Sequence, residues 1–112
     1  MSNWVITYWT SDSGKSDVER WYSKLDKEQA RSITKEIRLL ARCGNELRLP
    51  HSRSLGKKLF ELRERSYGLR IYYAFKGEQI IILLTAGDKT TQKNDIAKAR
   101  KRLETIQANG DQ

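Results

Sequence analysis

The apolar positions of the chain change their spacing along its length, and the changes separate helical from extended segments. Aromatic and β-branched residues fill positions 4–10, which predicts a strand. Apolar residues then recur at i, i+3, i+4 and i+7 in the stretch 18–25, and again at helical spacing in 33–41. Each stretch follows a capping residue, Ser16 for the first and Asp26 for the second. The pattern therefore indicates two consecutive helices, which form a helical hairpin.

The second half of the chain is mainly extended. A connection at 44–56 begins with glycine, a natural stop for a helix. Apolar and polar residues alternate at 59–65 and again at 69–75, and a short turn leads into the apolar run 80–85. These three segments predict an antiparallel meander. Apolar residues at helical spacing in 96–106, with basic residues between them, predict a C-terminal helix.

The predicted order is β-α-α-β-β-β-α, which is an α+β fold with a twisted antiparallel sheet. We expect one domain over residues 1–108 and a frayed tail over 109–112. The helical hairpin should cover one face of the sheet. Side-chain alternation predicts that the opposite face carries Glu61, Arg63, Arg70 and Tyr72.

Composition excludes several classes of site. Cys43 is the only cysteine, which excludes an internal disulfide and a cysteine-based zinc site. His51 is the only histidine, which excludes a paired-histidine ribonuclease mechanism. No apolar run approaches the roughly 20 residues of a membrane span, and the first ten residues lack a secretory pattern. We expect a cytoplasmic protein without a metal or another cofactor.

Basic residues are concentrated in one part of the chain. The sequence has 22 Lys and Arg against 14 Asp and Glu, and its formal net charge is +8. Residues 53–102 alone carry 13 basic and 5 acidic side chains, so they account for the whole excess. A concentrated positive charge on a small domain favours a polyanionic partner, of which nucleic acid is the commonest.

Three stretches resemble the motifs of a known family. LFELR at 59–63, followed by LRIYY at 69–73, resembles the "ELR … YRIFY" core of RelE/HigB-like toxins. AGDKTTQKNDI at 86–96 resembles the "GDKSTQ..DI" signature of addiction-module killer proteins. LPHS at 49–52, leading to Leu55-Gly56, resembles the lead-in of phage-derived HigB-like members.

The resemblance implies a RelE/ParE-like fold and the toxin role of a type II toxin–antitoxin module. For RelE- and HigB-type members it implies ribosome-dependent, metal-independent cleavage of mRNA, which inhibits translation. The expected partners are a helix-turn-helix, HigA-like antitoxin, the ribosome and mRNA, and no membrane.

The resemblance also implies three catalytic residues. Arg70 matches the arginine of the family's catalytic strand, Arg63 matches a basic site position on the neighbouring strand, and Lys89 matches a residue that contacts the scissile phosphate in relatives. Arginine suits this role because its guanidinium holds a phosphate in bidentate geometry. An ion pair between Arg70 and Glu61 is the alternative interpretation.

The general acid and base stay open at this stage. Glu61 could act as a base or neutralise Arg63, and a lysine could act as a base if neighbouring cations lower its pKa. A flat aromatic ring could stack on an mRNA base. The residues expected to bind RNA are Lys57, Lys58, Tyr67, Tyr72 and Lys93.

Two other functions remain compatible with the sequence. One is a ParE-like gyrase poison, against which the cationic cluster argues. The other is a non-catalytic remnant that binds nucleic acid or an antitoxin.

Overall fold

The computed structural model describes residues 3–110, which form one five-stranded sheet and three α-helices. The predicted order is confirmed, with one additional short strand in the segment expected to be irregular. The elements are β1 (Val5–Tyr8), α1 (Asp17–Ser23), α2 (Lys27–Cys43), β2 (Ser52–Ser54), β3 (Phe60–Glu64), β4 (Leu69–Lys76), β5 (Ile80–Asp88) and α3 (Gln92–Gly110).

The strands lie in the order β1-β5-β4-β3-β2. β3, β4 and β5 form the predicted antiparallel meander, and β1 pairs in parallel with β5 at one edge. β2 pairs antiparallel with β3 at the other edge. An irregularity between Tyr72 and Tyr73 shifts the β4–β5 register. Irregularities of this kind, such as a β-bulge, increase the local twist of a strand.

The helical hairpin forms where the caps predict it. The Ser16 side chain accepts from the backbone N–H of Glu19 at the start of α1. Asp26 and Gln29 form a reciprocal capping box at the start of α2. Both helices turn their apolar sides to the same face of the sheet. The core on that face includes Val18, Ile33, Leu40, Leu62, Ile71, Tyr73 and Leu83.

α3 covers part of the opposite face. Its residues Ala99 and Leu103 pack on a second core with Leu59, Tyr72 and Leu84. The alternation predicted for β4 is therefore confirmed, since Ile71 and Tyr73 face the hairpin while Tyr72 and Ala74 face α3. The candidate site lies at the end of the sheet beside the N-terminus of α3, where Gln92 contacts Glu61.

α3 extends to Gly110, which lies within the segment 109–112 predicted to be a frayed tail; residues 111–112 lie outside the described part, and the domain bounds stay a prediction. Two basic side chains of α3 make contacts with other parts of the fold. Arg100 donates to the carbonyls of Leu55 and Gly56 at 2.6 and 3.1 Å, which ties α3 to the β2–β3 turn.

Arg102 is likewise structural. Its guanidinium donates to the Leu84 carbonyl at 2.7 Å and binds the Asp17 carboxylate. It also lies over the Trp9 ring at 3.9 Å. The contact with Arg102 lowers the pKa of Asp17. The side chain thereby links α3 to the start of α1.

In the described part of the chain, every helix is too short or too polar to cross a membrane.

Gly44 ends α2 in a conformation that only glycine adopts readily. Its φ and ψ are 54° and −129°, and an added Cβ would lie 1.9 Å from the Trp4 indole nitrogen. The Trp4 backbone N–H donates to the Ala41 carbonyl at 2.8 Å, so β1 begins directly against the end of α2. The predicted stop therefore also makes room for Trp4.

We expect Gly44→Ala to lower the free energy of unfolding by about 2–4 kcal/mol, because it adds backbone strain and a steric clash in one step. Urea denaturation measures the change. Gly14→Ala is the matched control, because Gly14 also has a positive φ, of 82°, but open space around it. Equal losses in the two variants would show that the contact with Trp4 is unimportant.

Candidate functional site

The site is centred on a buried carboxylate, Glu61, in the middle of β3. Its side chain is fully buried and lies among one arginine from each of three adjacent strands. Arg53 of β2 approaches Oε1 at 3.2 Å, Arg63 of β3 approaches Oε1 at 3.7 Å, and Arg70 of β4 approaches Oε2 at 3.6 Å. We call these four residues the Glu61 cluster, and its formal charges leave it with an excess of positive charge.

Arg63 and Arg70 are direct partners across the β3–β4 pair. Two like charges at opposed positions repel each other, which destabilises a sheet. Glu61 offsets this repulsion because it lies on the same face and contacts both guanidinium groups. Arg70 is 6% exposed and Arg63 is 29% exposed, so Arg63 is the more accessible of the two. The predicted ion pair of Arg70 with Glu61 is present.

The N-terminal end of α3 closes one side of the cluster. Gln92, the first residue of α3, donates from Nε2 to Glu61 Oε2 at 2.7 Å. This approach requires Gly87 on β5, because a Cβ there would lie 2.0 Å from Asp95 Oδ2 and 2.3 Å from Thr91 Oγ1. The glycine of the GDK motif thus lets α3 begin directly over the sheet.

Several buried polar atoms of this site have no hydrogen-bond partner within residues 3–110. They include Glu61 Oε1, Arg63 Nε, Arg70 Nε and the Tyr72 hydroxyl. Buried polar groups without a hydrogen bond are rare and costly, so their concentration at one place is typical of a functional site. Burial, together with the charge of Glu61, raises the pKa of Tyr72, which keeps its hydroxyl protonated.

Tyr72 does not have the exposure that base stacking needs. Its side chain is fully buried and packs with Leu59 and Leu84 under α3. The structure therefore does not support the predicted stacking role of Tyr72. Tyr67, in the β3–β4 turn, is 46% exposed and has an accessible ring.

Lys89 lies beside the cluster rather than inside it. Asp88 caps the short turn at Lys89–Thr91 by accepting from Thr90, and these hydrogen bonds lower the pKa of Asp88. The aliphatic part of Lys89 then lies over Gly68, and its Cε is 3.5 Å from where a Cβ would be. Lys89 lines a shallow polar pocket with Arg65, Ser66, Tyr67, Gly68, Asp88 and Thr90.

This pocket adjoins the Glu61 cluster at the same end of the sheet. Gly68 lies two residues before Arg70, about 7 Å along the strand. The structure thus brings Arg63 and Arg70 together on one carboxylate and places Lys89 with Tyr67 in the adjacent pocket.

Glu64 holds the β3–β4 turn that carries Tyr67. Its buried carboxylate accepts from the backbone N–H groups of Ser66 at 3.0 Å, Tyr67 at 2.9 Å and Leu69 at 3.4 Å, and from the Ser32 hydroxyl of α2. Burial acts to raise the pKa of Glu64, but these hydrogen bonds outweigh burial and the pKa is lowered. The turn is therefore anchored through an ionised carboxylate.

We expect Glu64→Gln to lower the free energy of unfolding at pH 7 by about 2–3 kcal/mol, because it weakens several charge-assisted hydrogen bonds. The lowered pKa makes this contribution fully present above the unfolded value of about 4.3 and progressively lost as the pH falls through the folded value. When denaturation is measured from pH 7 to pH 3, the free energy of unfolding should therefore fall less steeply with decreasing pH in the variant than in the wild type. The exposed Glu46→Gln is the control, and an unchanged acid profile in Glu64→Gln would contradict the assignment.

The remaining predicted RNA-binding residues are dispersed. Lys57 and Lys58 form the turn before β3, at the opposite end of that strand from Arg63, and Lys57 lies near the second half of α3. Both have a positive φ, 52° and 70°. Lys93 is exposed in the first turn of α3, the helix end nearest the Glu61 cluster.

The sequence patterns do not identify two members of the site, Arg53 and Gln92. Arg53 lies on β2, the strand that was not predicted, and Gln92 was noted only as part of a motif. Arg53 lies opposite Glu61 because β2 pairs with β3, and no local pattern in 52–54 signals that pairing. His51 is tied to Glu36 of α2 through Nδ1 at 3.0 Å.

Comparisons with known proteins agree with this description. The family model "Phage derived protein Gp49-like (DUF891)" matches residues 20–104. An uncharacterized protein of Haemophilus influenzae is 34% identical over 84 residues, which cover 73% of this chain and 81% of that protein.

Two solved structures of the Escherichia coli toxin RelE share the fold. A double arginine-to-alanine mutant in the free state has a TM-score of 0.65 at 12% identity, covering 92% of this chain and 99% of that one. The isolated toxin has a TM-score of 0.54 at 13% identity, covering 89% and 98%. The predicted RelE-like α+β fold is confirmed, and the chain belongs to the Gp49-like family of phage-derived proteins.

Proposed function

We propose that this protein is the toxin of a type II toxin–antitoxin module and that it cleaves mRNA on the ribosome. The observation that carries the proposal is the Glu61 cluster, in which Arg63 and Arg70 are held side by side on one carboxylate. The closest guanidinium atom in each pair is Nε. The terminal nitrogens, which carry four of the five N–H donors of each group, are therefore not taken up by Glu61.

Such an arrangement suits cleavage by the ribose 2′-hydroxyl, which attacks the adjacent phosphate and expels the 5′-oxygen. Negative charge builds on the phosphate in the transition state, and fixed cations stabilise it. Arg63 and Arg70 supply this charge without a metal. Lys89 in the adjacent pocket is placed to contact the same phosphate or a neighbouring one, and Tyr67 offers an exposed ring to a base.

Glu61 acts here as a positioning residue rather than as the general base. Its side chain is fully buried, and its Oε2 already accepts from Gln92. A base must come within hydrogen-bond reach of the 2′-hydroxyl proton, and a carboxylate enclosed by three arginines does not offer that access. The exposed lysines, Lys89 and Lys93, remain the candidates for proton transfer.

The toxin role draws on the shared fold, because the two solved structures are of a protein named as a toxin. The expected partner is a small helix-turn-helix, HigA-like antitoxin that covers the site. Because such a nuclease would act where ribosomes translate, a cytoplasmic location is part of the proposal.

The test is expression of the chain in a bacterial host from a tightly repressed promoter. We expect translation to stop within minutes and primer extension to reveal new 5′ ends within transcripts. Co-expression of a helix-turn-helix protein encoded beside the chain should restore growth. Arrest with intact transcripts would contradict the proposal, and arrest with a DNA-damage response would favour a gyrase poison.

A further inference from the structure

The outer face of α2 carries a straight row of four cations, far from the Glu61 cluster. Arg31, Lys35, Arg38 and Arg42 are spaced i, i+4, i+7 and i+11, which places them on one side of a helix. All four are exposed, and together with Thr34 they line a shallow groove along the helix. We call these four residues the α2 cation row.

The row points away from the body of the protein. Ile33, Ile37 and Leu40 form the side of α2 that packs on the core, and at 100° per residue they lie nearly opposite the row. α2 covers the sheet face formed by Leu62 and Ile71, whereas Glu61 and its arginines lie on the other face. The row and the Glu61 cluster are therefore on opposite sides of the sheet.

Little negative charge neutralises the row. α2 contains two acidic residues, Glu28 and Glu36. The Glu36 carboxylate lies 3.0 Å from His51 Nδ1. Glu28 lies 3.7 Å from Arg31, but both side chains are about two-thirds exposed, so water and salt screen this pair. Lys35, Arg38 and Arg42 form no ion pair within residues 3–110.

The row is unfavourable for the helix itself. Like charges at i, i+3 or i, i+4 destabilise a helix by about 0.2–0.5 kcal/mol a pair, and the row contains three such pairs. A helix that served only to cover the sheet would be more stable with glutamates interspersed. The arrangement is therefore best explained by an anion outside the protein.

The length of the row fits a nucleic-acid backbone. From Arg31 to Arg42 the helix rises about 16 Å, and one strand of a DNA duplex, for example, presents about five phosphates over that distance. Three of the four cations are arginines, which bind phosphate oxygens in bidentate geometry.

We propose that the α2 cation row binds the phosphate backbone of a structured nucleic acid, so that the protein has two nucleic-acid surfaces on opposite sides of its sheet. The α2 cation row binds the phosphates of a duplex and makes no base-specific contacts, while the Glu61 cluster contacts a separate strand. The binding of nucleic acid by the row does not depend on the proposed nuclease activity, whereas the role of the Glu61 cluster as the other surface rests on it.

The test compares two triple variants of the full chain, Lys35→Gln/Arg38→Gln/Arg42→Gln and the control Lys15→Gln/Lys76→Gln/Lys101→Gln. The control removes the same charge from exposed positions outside α2, and glutamine preserves helix propensity. Fluorescence anisotropy measures binding to a labelled 2′-O-methyl RNA hairpin from 50 to 300 mM salt. This probe has no free 2′-hydroxyl, so failure of the nuclease proposal leaves the result unaffected.

We expect the slope of log K against log salt to decrease in magnitude by about 2–3 in the row variant, and by less than about 1 in the control. Affinity at low salt should fall at least tenfold in the row variant only. If the triple variant does not fold, the single variant Arg38→Gln takes its place. It should make the slope of log K against log salt shallower by about 1. Equal losses in both triple variants would overturn the proposal. If the wild-type chain binds polyglutamate as strongly as the RNA hairpin, and the row variant loses that binding too, the proposal is overturned in favour of an acidic protein partner.

Discussion

Arg63→Ala is expected to reduce the rate of RNA cleavage by about 10²–10³, the usual loss when one preorganised donor to a transition-state charge is removed. Arg63 is the better test of the two cluster arginines that face each other. It is 29% exposed, whereas Arg70 is almost fully buried. Truncating Arg63 also removes its repulsion with Arg70, so the fold should survive.

The measurement is the rate at which a reporter mRNA is cut in a translating extract at saturating protein, followed by primer extension. Arg20→Ala is the matched control, since Arg20 is an exposed arginine on α1 at the far side of the sheet. Arg70→Lys complements Arg63→Ala, because a lysine keeps the positive charge but loses the bidentate geometry of the guanidinium. We expect the Arg70→Lys variant to cut the mRNA more slowly than the wild type as well. A cleavage rate for Arg63→Ala within threefold of wild type, with an unchanged melting temperature, would remove Arg63 from the site.

The sheet and its faces were predictable because strand alternation depends only on local sequence. The alternation of 59–65 and 69–75 placed Glu61, Arg63 and Arg70 on one face, and the pairing of β3 with β4 confirms it. The helical hairpin was predictable for a similar reason. Its two capping residues act on N–H groups three positions away, so both the signal and its effect are local.

β2 could not be predicted from its own residues. It has three residues, Ser52–Ser54, none of them apolar, and it exists because β3 offers an open edge. Arg53 therefore reaches Glu61 only through tertiary pairing. The same limit applies to Lys57 and Lys58, which adjoin the LFELR motif in sequence but lie at the end of β3 opposite Arg63.

The α2 cation row was missed for a different reason. The net charge of successive segments assigns the entire excess to residues 53–102. A segment sum ignores which side of a helix each charge lies on. The periodicity of the basic residues in 31–42, taken with the same 3.6-residue repeat as the apolar ones, would have revealed the row.

Glu61→Gln is expected to be the most destabilising charge change in the site. The substitution keeps the shape of the side chain but leaves three guanidinium groups around a neutral amide. Breaking a buried ion pair by removing one partner typically costs about 3–5 kcal/mol. For a domain of this size that corresponds to a melting temperature lower by roughly 10–25 °C.

Thermal unfolding at pH 7 measures the loss, with the exposed Glu78→Gln as the control. A second substitution isolates the cause. If Glu61 stabilises the fold by pairing with arginines, then adding Arg53→Gln to Glu61→Gln should recover part of the loss. The coupling energy should be about 0.5–3 kcal/mol, because the two residues are in direct contact.

The same variant distinguishes the two roles considered for Glu61 in catalysis. A positioning carboxylate lowers the cleavage rate when it is removed, but the dependence of that rate on pH keeps its shape. A general base contributes its own ionisation to the profile, so its loss would remove the acidic limb. We expect the profile of Glu61→Gln, measured at a temperature where the variant is folded, to be lower and unchanged in shape. Disappearance of the acidic limb would assign Glu61 as the base and require the carboxylate to reach the 2′-hydroxyl after RNA binds.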